Sequence, residues 1–131
     1  MASNPADLRY TREHEWARLE GGRARVGITQ YAQDQLGDVV FVELPKVGAR
    51  VQQMQTFGVV ESVKAVSDLF APLTGEVVEV NAELTAHPEQ VNRDPHGAGW
   101  MIVIALADPS DFGRLMSAAE YETFVESAGG H

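Results

Sequence analysis

The chain predicts a small, mainly β fold, either a barrel or a sandwich. Its β-branched and aromatic residues fall in short runs, broken at close spacing by Gly and Pro turn signals. The run Gly37-Asp38-Val39-Val40-Phe41-Val42 is also echoed by Gly75-Glu76-Val77-Val78-Glu79-Val80, with the acid and the valines in the same register. Valine strands after a glycine are common, so the echo is either coincidence or the trace of two similar halves.

The elements follow in order. After a polar leader, Glu15 to Leu19 reads as a strand with Trp16 facing inward, and Gly21-Gly22 signals a hairpin whose returning strand is Arg23 to Ile28. Thr29 has the chemistry of a helix N-cap, Tyr31, Gln35 and Leu36 sit at helical spacing, and Gly37 closes the helix. Val39 to Leu44 is a strand that stops at Pro45, where a ladder donor is missing, and Gly48 marks a turn. Phe57 to Val63 and Val66 to Phe70 are a strand and a short partner; Pro72 and Gly75 bracket the turn into Glu76 to Val80. Asn81 to Gly99 reads as a loop with one helical turn at Pro88 to Val91, and Trp100 to Leu106 as a fully apolar strand. Ser117 with Glu120 spells a capping box that opens a helix through about Glu126.

The 131 residues suit one compact domain. We expect a β core over about residues 10–106, a C-terminal helical segment over about 108–127, and a frayed tail at 128–131. The formal charge of -9 disfavours nucleic acid and anionic lipid as partners and suits basic protein surfaces. There are no cysteines, so disulfides, thiolate nucleophiles and Cys-ligated zinc are excluded. The four histidines lack metal-ligand spacing, so no metal is expected. No apolar stretch approaches a membrane span, and MASNPADLRY lacks a targeting signal. A bacterial cytoplasm is the expectation, or the mitochondrial matrix for a trimmed eukaryotic form.

The chemistry concentrates in Val59-Val60-Glu61-Ser62-Val63-Lys64-Ala65-Val66-Ser67-Asp68. Lys64 stands between small or apolar residues and between two strands, with room to be the outermost residue of a tight hairpin. There it is either an edge lysine that keeps a hairpin soluble or an amine held out for modification, its stem a tether.

The wording ESVKAVSD, followed by AP-x-x-GE-V-x-x-VN, resembles the lipoyl-attachment region of the glycine cleavage H-protein family. The resemblance takes in YTREHEW (Tyr10 to Trp16) and VGITQYAQDQLGDVVFVELP (Val26 to Pro45), resumes at Gly48, and continues through Pro72 to Asn81, Pro88 to Asn92 and Gly99 to Met101. It implies a lipoyl/biotinyl-type barrel-sandwich hybrid of two small antiparallel sheets, with an N-terminal hairpin, one short helix and a C-terminal helix. Lipoic acid would be attached covalently to Lys64 at a hairpin tip. The chain would be a non-catalytic, monomeric carrier. Its arm would take an aminomethyl group from a pyridoxal-phosphate glycine decarboxylase (P-protein) and deliver it to a tetrahydrofolate-dependent aminomethyltransferase (T-protein). Dihydrolipoamide dehydrogenase (L-protein) would then reoxidise it.

The same resemblance implies that Glu61, Ser62, Val63 and Ala65 serve the lipoyl-attaching enzyme. It also implies that Glu15 and Asp68, with Glu13 at a position where some relatives carry Ser, line a cleft for the cationic amine. Gly75 would be needed for close packing, and His96 stands where relatives often carry Tyr. Rival readings are a biotinyl carrier, whose lysine is typically flanked by methionines, and the lipoyl domain of a 2-oxoacid dehydrogenase, which usually reads Asp-Lys-Ala. A lipoyl-relay or lipoate-donor scaffold is separated only by assay. A hydrolase built on Glu15 and His14 is disfavoured because neighbours on a strand point to opposite faces.

Overall fold

A computed structural model describes residues 7–129. The elements in chain order are β1 (Arg9–Tyr10), β2 (Glu15–Glu20), β3 (Arg23–Ile28), α1 (Gln30–Leu36), β4 (Val39–Glu43), β5 (Arg50–Val51), β6 (Thr56–Ser62), β7 (Val66–Phe70), β8 (Gly75–Val80), α2 (Glu83–Ala86), α3 (Gln90–Arg93), β9 (Ile102–Leu106), α4 (Ser110–Gly113) and α5 (Ala118–Phe124). The strands make two antiparallel sheets, one of six in the order β1-β2-β3-β9-β8-β5 and one of three in the order β4-β6-β7.

Strand alternation decides what each sheet buries. Along β2, Ala17 belongs to the main core with Val26, Ile28, Val60, Leu69 and Ile104. Trp16 points the other way, into a second cluster with Leu8, Tyr10 and Tyr121 of α5. Both faces of β2 are therefore covered over its first three residues, while Leu19 and Glu20 are exposed. Glu15, two residues before Ala17 and paired with Ile28, falls on the main-core side and is 1% exposed. Gly27 lies opposite Trp16, whose indole would be 2.8 Å from any Cβ placed there. Gly75 is as constrained. A Cβ would run into the Ala105 carbonyl oxygen, with Ile104 Cγ2 at 2.7 Å, so the β8–β9 pair needs its absence.

The sequence echo is also an echo in structure. The β4–β6 register shifts between Val39 and Phe41, and the β8–β9 register shifts between Val77 and Glu79. The extra residues, Val40 and Val78, occupy the same place in the two repeats, and the residues before them, Val39 and Val77, are both buried. A shared bulge at a shared position favours two similar halves over coincidence.

Several expectations need correction. Residues 81–99 hold two helical turns, α2 and α3, where the reading placed one at Pro88 to Val91. The Asn81 side chain accepts the Glu83 N–H at 3.2 Å and starts α2, and Leu84 and Val91 anchor the turns in the core. The apolar strand begins at Ile102, two residues late, while half-buried Trp100 lies beneath the Arg25 guanidinium at 4.5 Å. The capping box is present, but α5 ends at Phe124 and widens into a π-helical turn over Val125–Gly129. The expected frayed tail thus begins inside that turn, and its last two residues lie outside those described.

Candidate functional site

Lys64 occupies the tip of the β6–β7 hairpin and is exposed. Ser62 builds the turn: its N–H donates to the Ala65 carbonyl at 2.8 Å, and its hydroxyl oxygen accepts the N–H groups of Lys64 (3.3 Å) and Ala65 (3.1 Å). Such serine turns fix a backbone reversal without glycine. The Val63 N–H donates to Asp38 O at 3.0 Å, which ties the tip to the start of β4. The lysine stem folds toward the end of α1, and its Cε would lie 3.6 Å from a Cβ on Gly37.

Gly37 is set by its neighbours. Thr29 caps α1 by accepting the Ala32 N–H at 3.1 Å, and Gly37 closes it with φ +79 and an N–H to Gln33 O. The Asn92 amide then binds the Gly37 carbonyl (2.8 Å) and Gln33 Oε1 (2.9 Å), while its oxygen accepts the Val39 N–H (2.8 Å). Asn92 therefore holds the helix end beside the lysine. In the sequence Asn92 stands out only as part of the resembling stretch Pro88 to Asn92, and nothing local shows that its amide reaches across 55 residues.

A cleft of about 300 Å³ opens along α1. Ile28, Tyr31, Ala32, Leu36, Val60 and Leu69 give it apolar walls, and Glu13, His14, Glu15 and Asp68 add polar groups. The three acids singled out from the sequence thus border one space, but not equivalently. Glu15 is in the wall. Its Oε1 accepts the Thr11 hydroxyl at 2.6 Å and its Oε2 accepts the Phe70 N–H at 3.1 Å, from the edge strand β7. Glu13 is exposed at the rim. Asp68 is exposed on the edge strand β7, paired with Val59, and borders the cleft from its rim.

His14 also lines the cleft. It is not on the strand but in the preceding turn, with φ +74, and so the opposite-faces argument against a His14–Glu15 pair fails. The two are nonetheless engaged separately: His14 Nδ1 lies 2.7 Å from the Tyr121 hydroxyl. His96, remote from the cleft, packs its ring edge-on to Trp16 at 6.1 Å.

Burial pushes the Glu15 carboxyl from its ordinary 4.5 up to about 8, against the opposing effect of its hydrogen bonds from Thr11 and Phe70, with the Glu13 charge adding to the rise. The folded chain therefore holds this proton more tightly than the unfolded chain does. Between pH 4.5 and 8 the unfolding free energy should fall as pH rises, by up to about 1.4 kcal/mol per pH unit from this group. Denaturant titrations across that range should show the slope in the parent and its loss in Glu15→Gln; equal slopes would mean that Glu15 titrates normally.

The description "Glycine cleavage H-protein" belongs to a family model that matches residues 8–128. A glycine cleavage system H protein of Symbiobacterium thermophilum is 56% identical over 126 residues, covering 96% of this chain and 98% of its own. That of Anaeromyxobacter sp. (strain K) is 61% identical over 122 residues, covering 93% and 95%. A crystal structure of a glycine cleavage system H protein from Mycobacterium marinum superposes with a TM-score of 0.83 at 40% identity, covering 95% of this chain and 98% of that one.

Proposed function

This chain belongs to the glycine cleavage H-protein family, and from that premise we propose that it is a single, non-catalytic carrier domain with lipoic acid joined to Lys64. One juxtaposition carries the reading: an exposed lysine on a braced hairpin, its stem against Gly37, beside a cleft with a buried carboxyl in its wall. A lipoyl group fits these residues. Acylation would turn the Lys64 ammonium into a neutral amide, and the cleft offers apolar walls to an acyl chain. The group would supply two sulfurs that take up and release an aminomethyl unit, chemistry that a chain without cysteine cannot provide itself.

The chain's own residues would position and protect. Tyr31 to Leu36 is about 7–8 Å of helix, so an arm laid from Lys64 along α1 ends near Glu15 and His14. Glu15 is the natural partner for an ammonium there. An adjacent cation favours the carboxylate, so docking would release the proton that burial retains. Holding the cargo in an apolar cleft keeps water from it, and tethering raises its concentration at each partner's site.

The partners in this reading are P-protein, T-protein, L-protein and the lipoyl-attaching enzymes, in a bacterial cytoplasm. Phe41, Val63 and Val66, exposed around the tip with Glu61 between Phe41 and Val66 in the register, suit a partner with an apolar surface and a basic rim. Glycine–bicarbonate exchange with P-protein is the test. The lipoylated chain should support exchange and the unlipoylated chain should not. A lipoylated chain that P-protein cannot use would favour the lipoyl-relay reading.

A further inference from the structure

The carrier reading accounts for Glu15 but leaves unused a buried hydrogen-bond chain on the other side of the cleft. Thr29 is fully buried, and its hydroxyl lies 2.8 Å from that of Tyr121, which lies 2.7 Å from His14 Nδ1. The direction of the chain can be worked out. Thr29 Oγ1 already accepts the Ala32 N–H, and among the described residues the Tyr121 oxygen is the acceptor its proton has. Thr29 therefore donates to Tyr121, and Tyr121 donates to His14 Nδ1. Burial favours the neutral ring, so its proton sits on Nε2. His14 is half-buried and lines the cleft.

We infer that Tyr121 and Thr29 are positioning residues that fix His14 as an Nε2–H donor for the sulfur-bearing end of the arm, so that α5 helps to build the cargo seat. The inference rests on the carrier reading and deepens it. In this seat Glu15 takes the ammonium, and His14 donates to the sulfur that does not carry it. Three observations support the assignment. The left-handed backbone at His14, rare outside glycine, turns the ring off the strand and toward the cleft. The rings of Tyr31 (4.8 Å), Tyr121 (5.7 Å) and Phe124 (6.0 Å) fix its plane and surround it with the aromatic surface that sulfur favours. The neutral donor also sets no positive charge against a cationic cargo.

Tyr121→Phe tests this directly, because it removes one hydroxyl and keeps the ring stacked on Tyr10 at 4.7 Å. Nitrogen-15 NMR of the unlipoylated chain should show His14 as the Nε2–H tautomer, and a mixture of tautomers in Tyr121→Phe. In the lipoylated protein, retention of the aminomethyl unit should shorten about fivefold, the factor one ordinary hydrogen bond carries. Thr29→Ser, which keeps the hydroxyl, should behave as the parent in both measurements. An Nδ1–H tautomer in the parent, or unchanged retention in Tyr121→Phe, would overturn the inference. The tautomer measurement needs no lipoyl group, so its failure is distinct from failure of the carrier reading, which shows as absence of lipoylation.

Discussion

Glu15→Ala is expected to shorten retention of the aminomethyl unit on the lipoylated chain by roughly ten- to a hundredfold, the range that corresponds to losing a hydrogen bond to a charged group. Glu15 is the one acid of the cleft that is held on both oxygens and is almost wholly removed from water. In that setting an ion pair is screened little, and its loss leaves the ammonium facing an apolar wall. The measurement is release of label from protein loaded by P-protein from labelled glycine. Asp68→Ala and Glu13→Ala serve as comparisons. Both acids are exposed, so each should change retention by less than about threefold, in keeping with the small worth of exposed charge pairs. Equal effects from all three would mean that the cargo is held by the overall negative charge of the rim, not by Glu15.

The same contrast shows what could be read from the sequence. Alternating strands and turn signals located β2, β3, β4, β6, β7 and β8 to within a residue or two, because each follows from local sterics and a half-buried face. Thr29 and Ser117 announced their helices through capping chemistry that acts within three residues. The two-residue strands β1 and β5 are not legible in the sequence, since two residues carry no periodicity; their pairing is fixed by Ala17, Trp16, Gly75 and Glu76 across the sheet.

The site divides in the same way. Lys64 between two short strands suggested a hairpin tip on local grounds, and the resemblance of ESVKA supplied its expected chemistry. That Glu15, Asp68 and Glu13 share a cleft required the resemblance, because nothing local joins residues on β2 and β7. That Glu15 is deep and Asp68 is not required coordinates. EHEW reads as polar, yet it places Glu15 toward the core because Trp16 takes the opposite face. His14 shows no metal-ligand spacing in the sequence, and its hydrogen-bond partner, Tyr121, lies 107 residues away.

We propose that the hairpin, and not mere exposure, marks Lys64 for acylation. The chain has two lysines, Lys46 and Lys64, and both are exposed. Lys46 starts a turn closed by the Ala49 N–H at 3.0 Å, between strands of different sheets, whereas Lys64 stands at the tip of the paired β6–β7 hairpin, on a turn braced by Ser62 and fastened to Asp38. An internal control is therefore built in. Intact-mass analysis after treatment with lipoate and a lipoyl-attaching enzyme should show a single lipoyl increment on the parent chain and none on Lys64→Arg, which keeps the charge but not the acylatable amine. A lipoyl increment on Lys64→Arg, or none on the parent, would contradict the account.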